Sequence, residues 1–394
     1  MSAAAHPGVI ATARREAGRL AGQPIYLLLM LVFPLASFGL LWAIFSSEVP
    51  SELPIAVVDL DHSTLSRQLV RMTDATRTMR VAFEPSDEPA AQRLIREGTA
   101  YAVVVIPRDL EREVRRGETA GVVCQYNAQL LLPASLIRRD LRAVVGTLSA
   151  GVELRRRQAG GAPRAVAMAQ MEPVRVERHT LFNPQLSYVT YLLAALLPTM
   201  LQVFILVTAV QAVGSELKDS TAGEWLEVAG GRAWKAVLGK LLPHTVAFVV
   251  LSLAMLAVLF RALDLPMRGS LGVLAGGTIL FVLAVQGMGL ALCAWLANLR
   301  FATSAAGLLA SPAFAFSGVT FPVSAMPAVA QAWGALIPLT HYLRLLVDQA
   351  VRGATPAASA VPLAALAAFA VVLPAASLLR LGRVARDARF WGQP

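Results

Sequence analysis

The chain has 394 residues, of which 56% are hydrophobic and only 15% charged, with a formal net charge of +10. So apolar a composition excludes most soluble enzymes and leaves room for a membrane domain plus one extramembrane domain. The positive charge does not point to nucleic acid, because its surplus sits in short segments beside apolar runs.

In chain order, Val9, Ile10, Ala13, Ala17 and Leu20 fall on one helical face opposite Arg14, Arg15 and Arg19. That spacing predicts an amphipathic helix within residues 1–24, lying in the inner membrane interface. An uncharged run follows at Ile25–Phe45, and five more come later: Leu186–Val213, Leu241–Phe260, Ser270–Leu299, Phe301–Leu343 and Ala354–Leu379. An apolar helix needs about 20 residues to cross the roughly 30 Å hydrocarbon core. Each run meets that length. The expected fold is an α-helical polytopic membrane protein with six transmembrane helices plus re-entrant helices, and an inserted α/β extracytoplasmic domain over residues 46–185. Ile25–Phe45 is longer than the apolar core of a signal peptide and ends Phe-Ser-Ser-Glu without a small-x-small site, so it is read as a retained anchor.

Within the polar stretch, strands and helices alternate, which predicts a small α/β layer structure. Leu53–Leu60, Met79–Phe83, Tyr101–Ile106 and Ala120–Tyr126 are β-branched or apolar runs, and Ser63–Thr73, Glu88–Arg96 and Asp109–Arg116 have helical spacing. A long helix is expected from Pro133 to about Arg157, then a Gly- and Ala-rich linker at Gln158–Arg164 and an extended return over Val174–Phe182. Ser46–Gln185 holds 19 Lys or Arg against 17 Asp or Glu, close to balance. The short segments with Arg14, Arg15 and Arg19, with Lys218, Arg232, Lys235 and Lys240, with Arg300, and with Arg380, Arg383, Arg386 and Arg389 are the basic ones. Short basic loops stay cytoplasmic, so both termini, including the tail at 381–394, are expected inside and the polar domain outside.

Asp59-Leu60-Asp61-His62-Ser63, just after a strand, is the arrangement that could hold magnesium and attack a phosphate. That chemistry also needs a lysine, and Ser46–Gln185 contains none. The competing reading is that Asp59 ends a strand and Asp61 or Ser63 caps the next helix. Cys124 and Cys293 fall in different layers, which excludes a disulfide framework. The histidines show no ligand spacing, and His244 and His341 lie in uncharged runs where a polar group marks an interior or cavity-facing position. There is no Gly-x-x-x-x-Gly-Lys-Ser/Thr loop; Gly239-Lys240 has no glycine five residues earlier and is followed by Leu241. The chain is therefore not expected to hydrolyse nucleotide, and no catalytic, cofactor or metal site is assigned to it.

Gly214–Lys240 is read as a cytoplasmic loop mixing Glu216, Lys218, Asp219, Glu224 and Glu227 with Leu217, Trp225, Leu226 and Trp234. Two tryptophans in such a loop point to a docking surface or to anchoring at the membrane interface.

These strings resemble the membrane subunit of a type-2 ABC exporter, of the bacterial subgroup with a large outer domain between the first two spans. Val57-Val58-Asp59-Leu60-Asp61-His62-Ser63 with Ser66-Arg67 is similar to the family's first outer strand and helix, and Ala102–Pro107 with Asp109-Leu110-Glu111 and Arg116-Gly117 to its strand, Pro, helix, Arg-Gly unit. Phe182-Asn183-Pro184 resembles the return into the second span, and Gly239-Lys240-Leu241-Leu242-Pro243 the start of the third. Ser317-Gly318, Phe321-Pro322-Val323-Ser324-Ala325-Met326-Pro327 and Ile337-Pro338-Leu339-Thr340-His341-Tyr342-Leu343 form its most specific match. Ser220-Thr221-Ala222-Gly223-Glu224 departs from the family's Gly-Thr-x-Glu, and Asp348 stands where a basic residue is expected.

The resemblance implies a permease pairing with itself or a close homologue, with two separate ATP-binding subunits that carry the ATP and magnesium, in the bacterial inner membrane and in contact with its lipid. A periplasmic adaptor is left open, and so is the transported substrate. The compositional excess of arginine over lysine, 32 to 3, also points to a bacterial source. It implies coupling to the ATP-binding subunit through Glu216, Lys218, Asp219, Thr221, Glu224, Trp225 and Leu226. It further implies a re-entrant exit region over 321–343, preceded by Ser317 and Gly318, with Phe321, Pro322, Met326, Pro327, Pro338, Thr340, His341 and Tyr342. The alternative, of a different class, is a membrane-anchored scaffold or receptor whose extracytoplasmic domain binds a partner.

Overall fold

A computed structural model describes residues 7–46, 49–159 and 181–392. They divide into two compact units, one comprising Met1–Ser46 and Ser187–Pro394, the other Ser47–Leu186.

The helical unit begins with α1 (Val9–Gly22) and α2 (Pro24–Phe45). Pro24 opens α2 at a position where a missing N–H costs nothing. Pro34 also lacks an N–H, and the turn before it, Leu28–Val32, widens into a π-helix. Leu27, Leu31, Phe33, Leu35, Leu40, Trp42 and Ile44 are all exposed on α2. A helix this apolar and this uncovered needs lipid or another protein around it.

The second unit is an α/β structure, taken in order as β1 (Leu53–Asp59), α3 (Thr64–Asp74), β2 (Met79–Phe83), α4 (Glu88–Arg96), β3 (Ala102–Ile106), α5 (Leu110–Arg116), β4 (Val123–Tyr126) and α6 (Leu131–Ala159). The elements coincide with the alternation expected from the sequence, except that the last strand starts three residues later. The sheet order is β2-β1-β3-β4, with β1 parallel to β2 and β3, and β4 antiparallel to β3. Successive side chains point to opposite faces. Leu53, Ile55 and Val57 therefore pack with Leu69 and with Ile137, Leu141 and Val144 of α6, while Ala56 and Val58 pack with Ala91 of α4. Asp59 ends β1 and accepts backbone N–H bonds from Asp61 and His62, each at 3.0 Å, and the Ser66 hydroxyl at 2.7 Å. Ser63 caps α3 by accepting from Ser66 N–H at 3.0 Å. These carboxylates and hydroxyls hold the strand-to-helix turn together, as the capping reading expects. The linker expected at Gln158–Arg164 begins as helix through Ala159 and otherwise lies outside the described residues, as does most of Val174–Phe182.

The chain then runs α7 (Val189–Lys218), α8 (Ala222–Val228), α9 (Ala233–Arg261), α10 (Leu271–Leu296), α11 (Leu299–Ala310), α12 (Ala328–Ala335), α13 (Pro338–Leu346) and α14 (Ala360–Val384). Among the described residues five helices are long and apolar enough to cross a membrane: α2, α7, α9, α10 and α14. The run Phe301–Leu343, from which a sixth span was expected, is in pieces. Helix α11 has only 12 residues, and Pro312 interrupts its continuation after Ala310. A 3-10 turn at Val323–Ala325 and helices α12 and α13 follow, introduced by Pro322, Pro327 and Pro338. Glycines let the long helices approach closely. A Cβ on Gly289 of α10 would come within 2.8 Å of Ala209 Cβ on α7.

Candidate functional site: a buried charge cluster

Gly214–Lys240 is not a loop at either end. Gly214–Lys218 finishes α7, Ala233–Lys240 is the start of α9, and the connection between them carries α8. This places Glu216 and Lys240 inside long helices. Both side chains are fully buried.

Lys240 Nζ lies 2.6 Å from Glu216 Oε1 and 2.5 Å from Glu16 Oε2 on α1. His244, one turn further along α9, has Nε2 2.9 Å from Glu16 Oε1, while its buried Nδ1 has no hydrogen-bond partner. That pattern places a proton on Nε2, donating to the carboxylate. Arg15 grips Glu216 with both ends of its guanidinium, at 2.5 and 3.2 Å. Arg19 bonds the same carboxylate and reaches Asp219 at 3.4 Å, and the Thr221 hydroxyl donates to Glu216 Oε2. Two buried carboxylates are thus met by one buried ammonium and two half-buried guanidiniums.

Burial would raise the Glu16 carboxyl pKa, but the His244 hydrogen bond and the Lys240 charge outweigh it and hold the group below its ordinary value of 4.5. Burial likewise opposes the charge on Arg15, and the hydrogen bond and charge of Glu216 raise it above its usual range.

The cluster seats α1 on its polar face. Its buried residues are Thr12 and Glu16, whereas Ile10 is 73% exposed and Ala17 is exposed too. The helix docks on its polar face because Glu216 and Lys240 are waiting there, and its apolar residues are left for the surroundings. Gly239 makes the close approach possible: a Cβ there would sit 2.5 Å from both Thr12 Cβ and the Val9 carbonyl oxygen.

Helix α8 is held from both sides. Gly8 N–H donates to Val228 O at 2.9 Å, and Arg15 Nε lies 3.4 Å from Glu224. The Trp225 indole is buried, donates to Ala236 O at 3.1 Å and stands 5.7 Å from Lys240 Nζ. From the C-terminal side Gly392 N–H donates to Leu217 O at 2.9 Å, Arg386 donates to Gly231 O at 2.9 Å, and the Trp391 ring covers Gly223. Trp391→Ala is expected to speed amide exchange across Ala222–Val228 about tenfold, read by hydrogen-exchange mass spectrometry, with α1 unchanged.

Of the residues singled out in the sequence, Lys218, Asp219 and Glu224 are exposed and Thr221 is half-buried. Glu216, Trp225 and Leu226 are buried. Trp234, by contrast, is 45% exposed. Sequence reasoning missed Arg15, Glu16, Arg19, Lys240 and His244 as parts of one site. The available signal was an acid alone among the arginines of α1, and a lysine and histidine four residues apart where an uncharged run begins.

The second predicted group packs elsewhere, against α10 and α14. Tyr342 is buried, stacks on Phe281 at 4.4 Å and shares a hydrogen bond of 2.9 Å with Thr278. His341 Nε2 bonds Ala335 O at 2.9 Å, and its ring meets Phe369. The Thr340 hydroxyl is buried without a partner. Ser317 donates to Phe314 O at 2.6 Å, and Gly318, with φ of 85°, leaves room for Val323 where a Cβ would come within 2.7 Å. Phe321 is exposed, Met326 is buried, and Pro322 and Pro327 bracket the 3-10 turn between them.

Long apolar helices joined by a buried charge cluster define a multi-pass membrane protein. The chain belongs to the ABC-2 family of transporter proteins, whose family model matches residues 24–379. Curated relatives include the probable multidrug ABC transporter permease YbhR of Escherichia coli K12 and its counterpart in Escherichia coli O157:H7. Each is 23% identical over 161 residues, covering 41% of this chain and 44% of the relative. The chain thus spans less than half the length of the curated relatives it matches. No solved structure matches it.

Proposed function

We propose that this chain is the permease half of an ATP-driven exporter in a bacterial inner membrane, pairing with a second permease and two ATP-binding subunits. Its termini and the α7–α9 connection face the cytoplasm, as the basic short segments support, and Ser47–Leu186 lies outside. The substrate class is amphipathic, lipid-like or drug-like, which fits the multidrug designation of the relatives. Pairing with a second permease is supported by α11, whose Phe301, Thr303, Ser304 and Leu308 are exposed.

One observation carries the coupling reading: Lys240 ties Glu16 of α1 and Glu216 of α7 to α9 at 2.5 and 2.6 Å. A push on α8 from an ATP-binding subunit therefore reaches two long helices and the interfacial helix together, through a charge lattice with little slack. The surface that receives the push is the exposed set Lys218, Asp219 and Glu224 around α8.

Glu224 tests this well, because its side chain is 65% exposed and its one contact to Arg15 is long. In Glu224→Lys the complex is expected to assemble and hydrolyse ATP, while substrate movement per ATP falls about tenfold. Unchanged transport per ATP in the triple variant Lys218→Glu, Asp219→Lys, Glu224→Lys would retire this surface as the docking site.

A further inference from the structure

The sheet of the α/β unit ends in β2 on one side and β4 on the other, and only the β2 edge is closed. There the groups turned away from β1 are taken by side chains of the same unit. Met79 N–H donates to the Thr76 hydroxyl at 3.2 Å, and Val81 N–H donates to Asp74 at 2.8 Å. At the β4 side, Asn127 N–H donates to Tyr101 O at 3.1 Å, and in the same register Gln125 stands opposite Val103 and Val123 opposite Val105. Bonded and non-bonded residues alternate along an antiparallel pair. Val123 and Gln125 therefore bond β3, while Cys124 and Tyr126 turn their N–H and C=O groups outwards. Among the described residues no side chain or further strand meets those groups.

An open edge is a template for another strand, and proteins guard such edges with charge, proline, a bulge or a cover. Strand β4 has no charge, no proline and no register shift. No charged residue occurs anywhere from Thr119 to Ile137, although Val123, Leu130 and Leu131 are exposed. One occupant fits such an edge on its own terms. Cys124 and Tyr126 flank Gln125, so an antiparallel copy of β4 sets each outward N–H against an outward carbonyl, Cys124 facing Tyr126 in both directions. An uncharged strand also meets its own copy without the like-charge repulsion that opposes most self-pairing.

We propose that β4 pairs antiparallel with β4 of a second copy of this chain, joining the two sheets into one across a two-fold axis. The inference rests on the pairing of two permeases. Strands of 4 residues bury far less than the roughly 1,200 Å² of a stable interface, so the edges meet because the helical units hold two copies together.

In this register the two Gln125 residues face each other as a non-bonded pair with Cα atoms about 4.5 Å apart, within reach of a disulfide. The test oxidises the full-length protein in membranes with copper phenanthroline and counts the copies per purified complex by native mass spectrometry. Cys124→Ser with Gln125→Cys is expected to give about ten times the cross-linked dimer of Cys124→Ser with Arg80→Cys, whose thiol lies on β2. Cys293 is buried and common to both. Replacing Cys124→Ser by Cys124→Pro, which removes an outward N–H that β3 does not use, should lower the cross-link about tenfold. Val123→Lys, a charge at an exposed side chain, should do the same with β4 still seated on β3. Two copies per complex with cross-linking at the Arg80→Cys level would overturn the edge pairing and leave the permease pairing standing. Cross-linking to a different protein in place of a second copy would overturn it as well. One copy per complex would overturn both readings together.

Discussion

Replacing Lys240 with methionine is expected to destabilise the helical unit by about 3–5 kcal/mol, measured as denaturant or thermal unfolding in detergent. The size follows from what is left behind. Glu216 keeps Arg15, Arg19 and Thr221, but Glu16 keeps only His244. Glu16 thus becomes a buried carboxylate with a single hydrogen-bond donor. Removing it as well, in Lys240→Met with Glu16→Leu, should recover about 1–3 kcal/mol over the sum of the single changes. Strict additivity would show that the two side chains do not act as a pair. The acid behaviour gives a second reading of the same contact. The folded-state pKa of Glu16 is lowered, so its contribution is fully present above its ordinary value of 4.5 and is lost as pH falls through the folded value. Without Lys240 part of that lowering disappears. Loosening of α1 on acidification should therefore begin at a higher pH in the variant, as followed by amide exchange of Val9–Gly22.

The architecture was largely legible in the sequence because its signals are local. Uncharged runs of span length reappear as α2, α7, α9, α10 and α14, and the alternation of β-branched runs with helical spacing reappears as the four-stranded sheet and its helices. What the sequence did not reveal are contacts that join distant residues. The docking of α1 on its polar face is set by Glu216 and Lys240, some 200 residues away along the chain. Trp225 and Leu226 stand in a charged segment yet are buried, and the Trp225 indole finds its acceptor at Ala236 at the start of α9. The run Phe301–Leu343 holds the 12-residue α11, which ends before Pro312, and then the short helices α12 and α13. Charge at a helix end carries the same sequence signature whether it meets water or a buried partner. The charge of Lys240 was legible in the sequence, and its ion pairs were not.

Gly239→Ala is expected to lift α1 from the helical unit with a single methyl group. The added Cβ would stand 2.5 Å from Thr12 Cβ and 2.5 Å from the Val9 carbonyl oxygen, far inside contact distance. One of those atoms is backbone and the other is a Cβ, so no rotamer change relieves the clash. Either α1 or α9 must move, and α9 is fixed by its packing among long helices. Overpacking of this kind costs about 1–3 kcal/mol. The cost falls on an interface with almost no apolar burial of its own, where Thr12 and Glu16 are the buried residues of α1. A shift of an ångström there lengthens the Glu16–Lys240 and Arg15–Glu216 contacts together, and charge-assisted bonds in a dry site weaken steeply when stretched. Amide exchange in α1 should rise towards that of an unprotected helix, and transport per ATP should fall while the ATP-binding subunit stays bound. Gly276→Ala on α10 is the control, since a Cβ there meets nothing within 4 Å and alanine favours a helix by up to about 1 kcal/mol. Wild-type protection of α1 in Gly239→Ala would mean that the helix is not seated on α9 at all. The coupling route through Glu16 would then have to be abandoned.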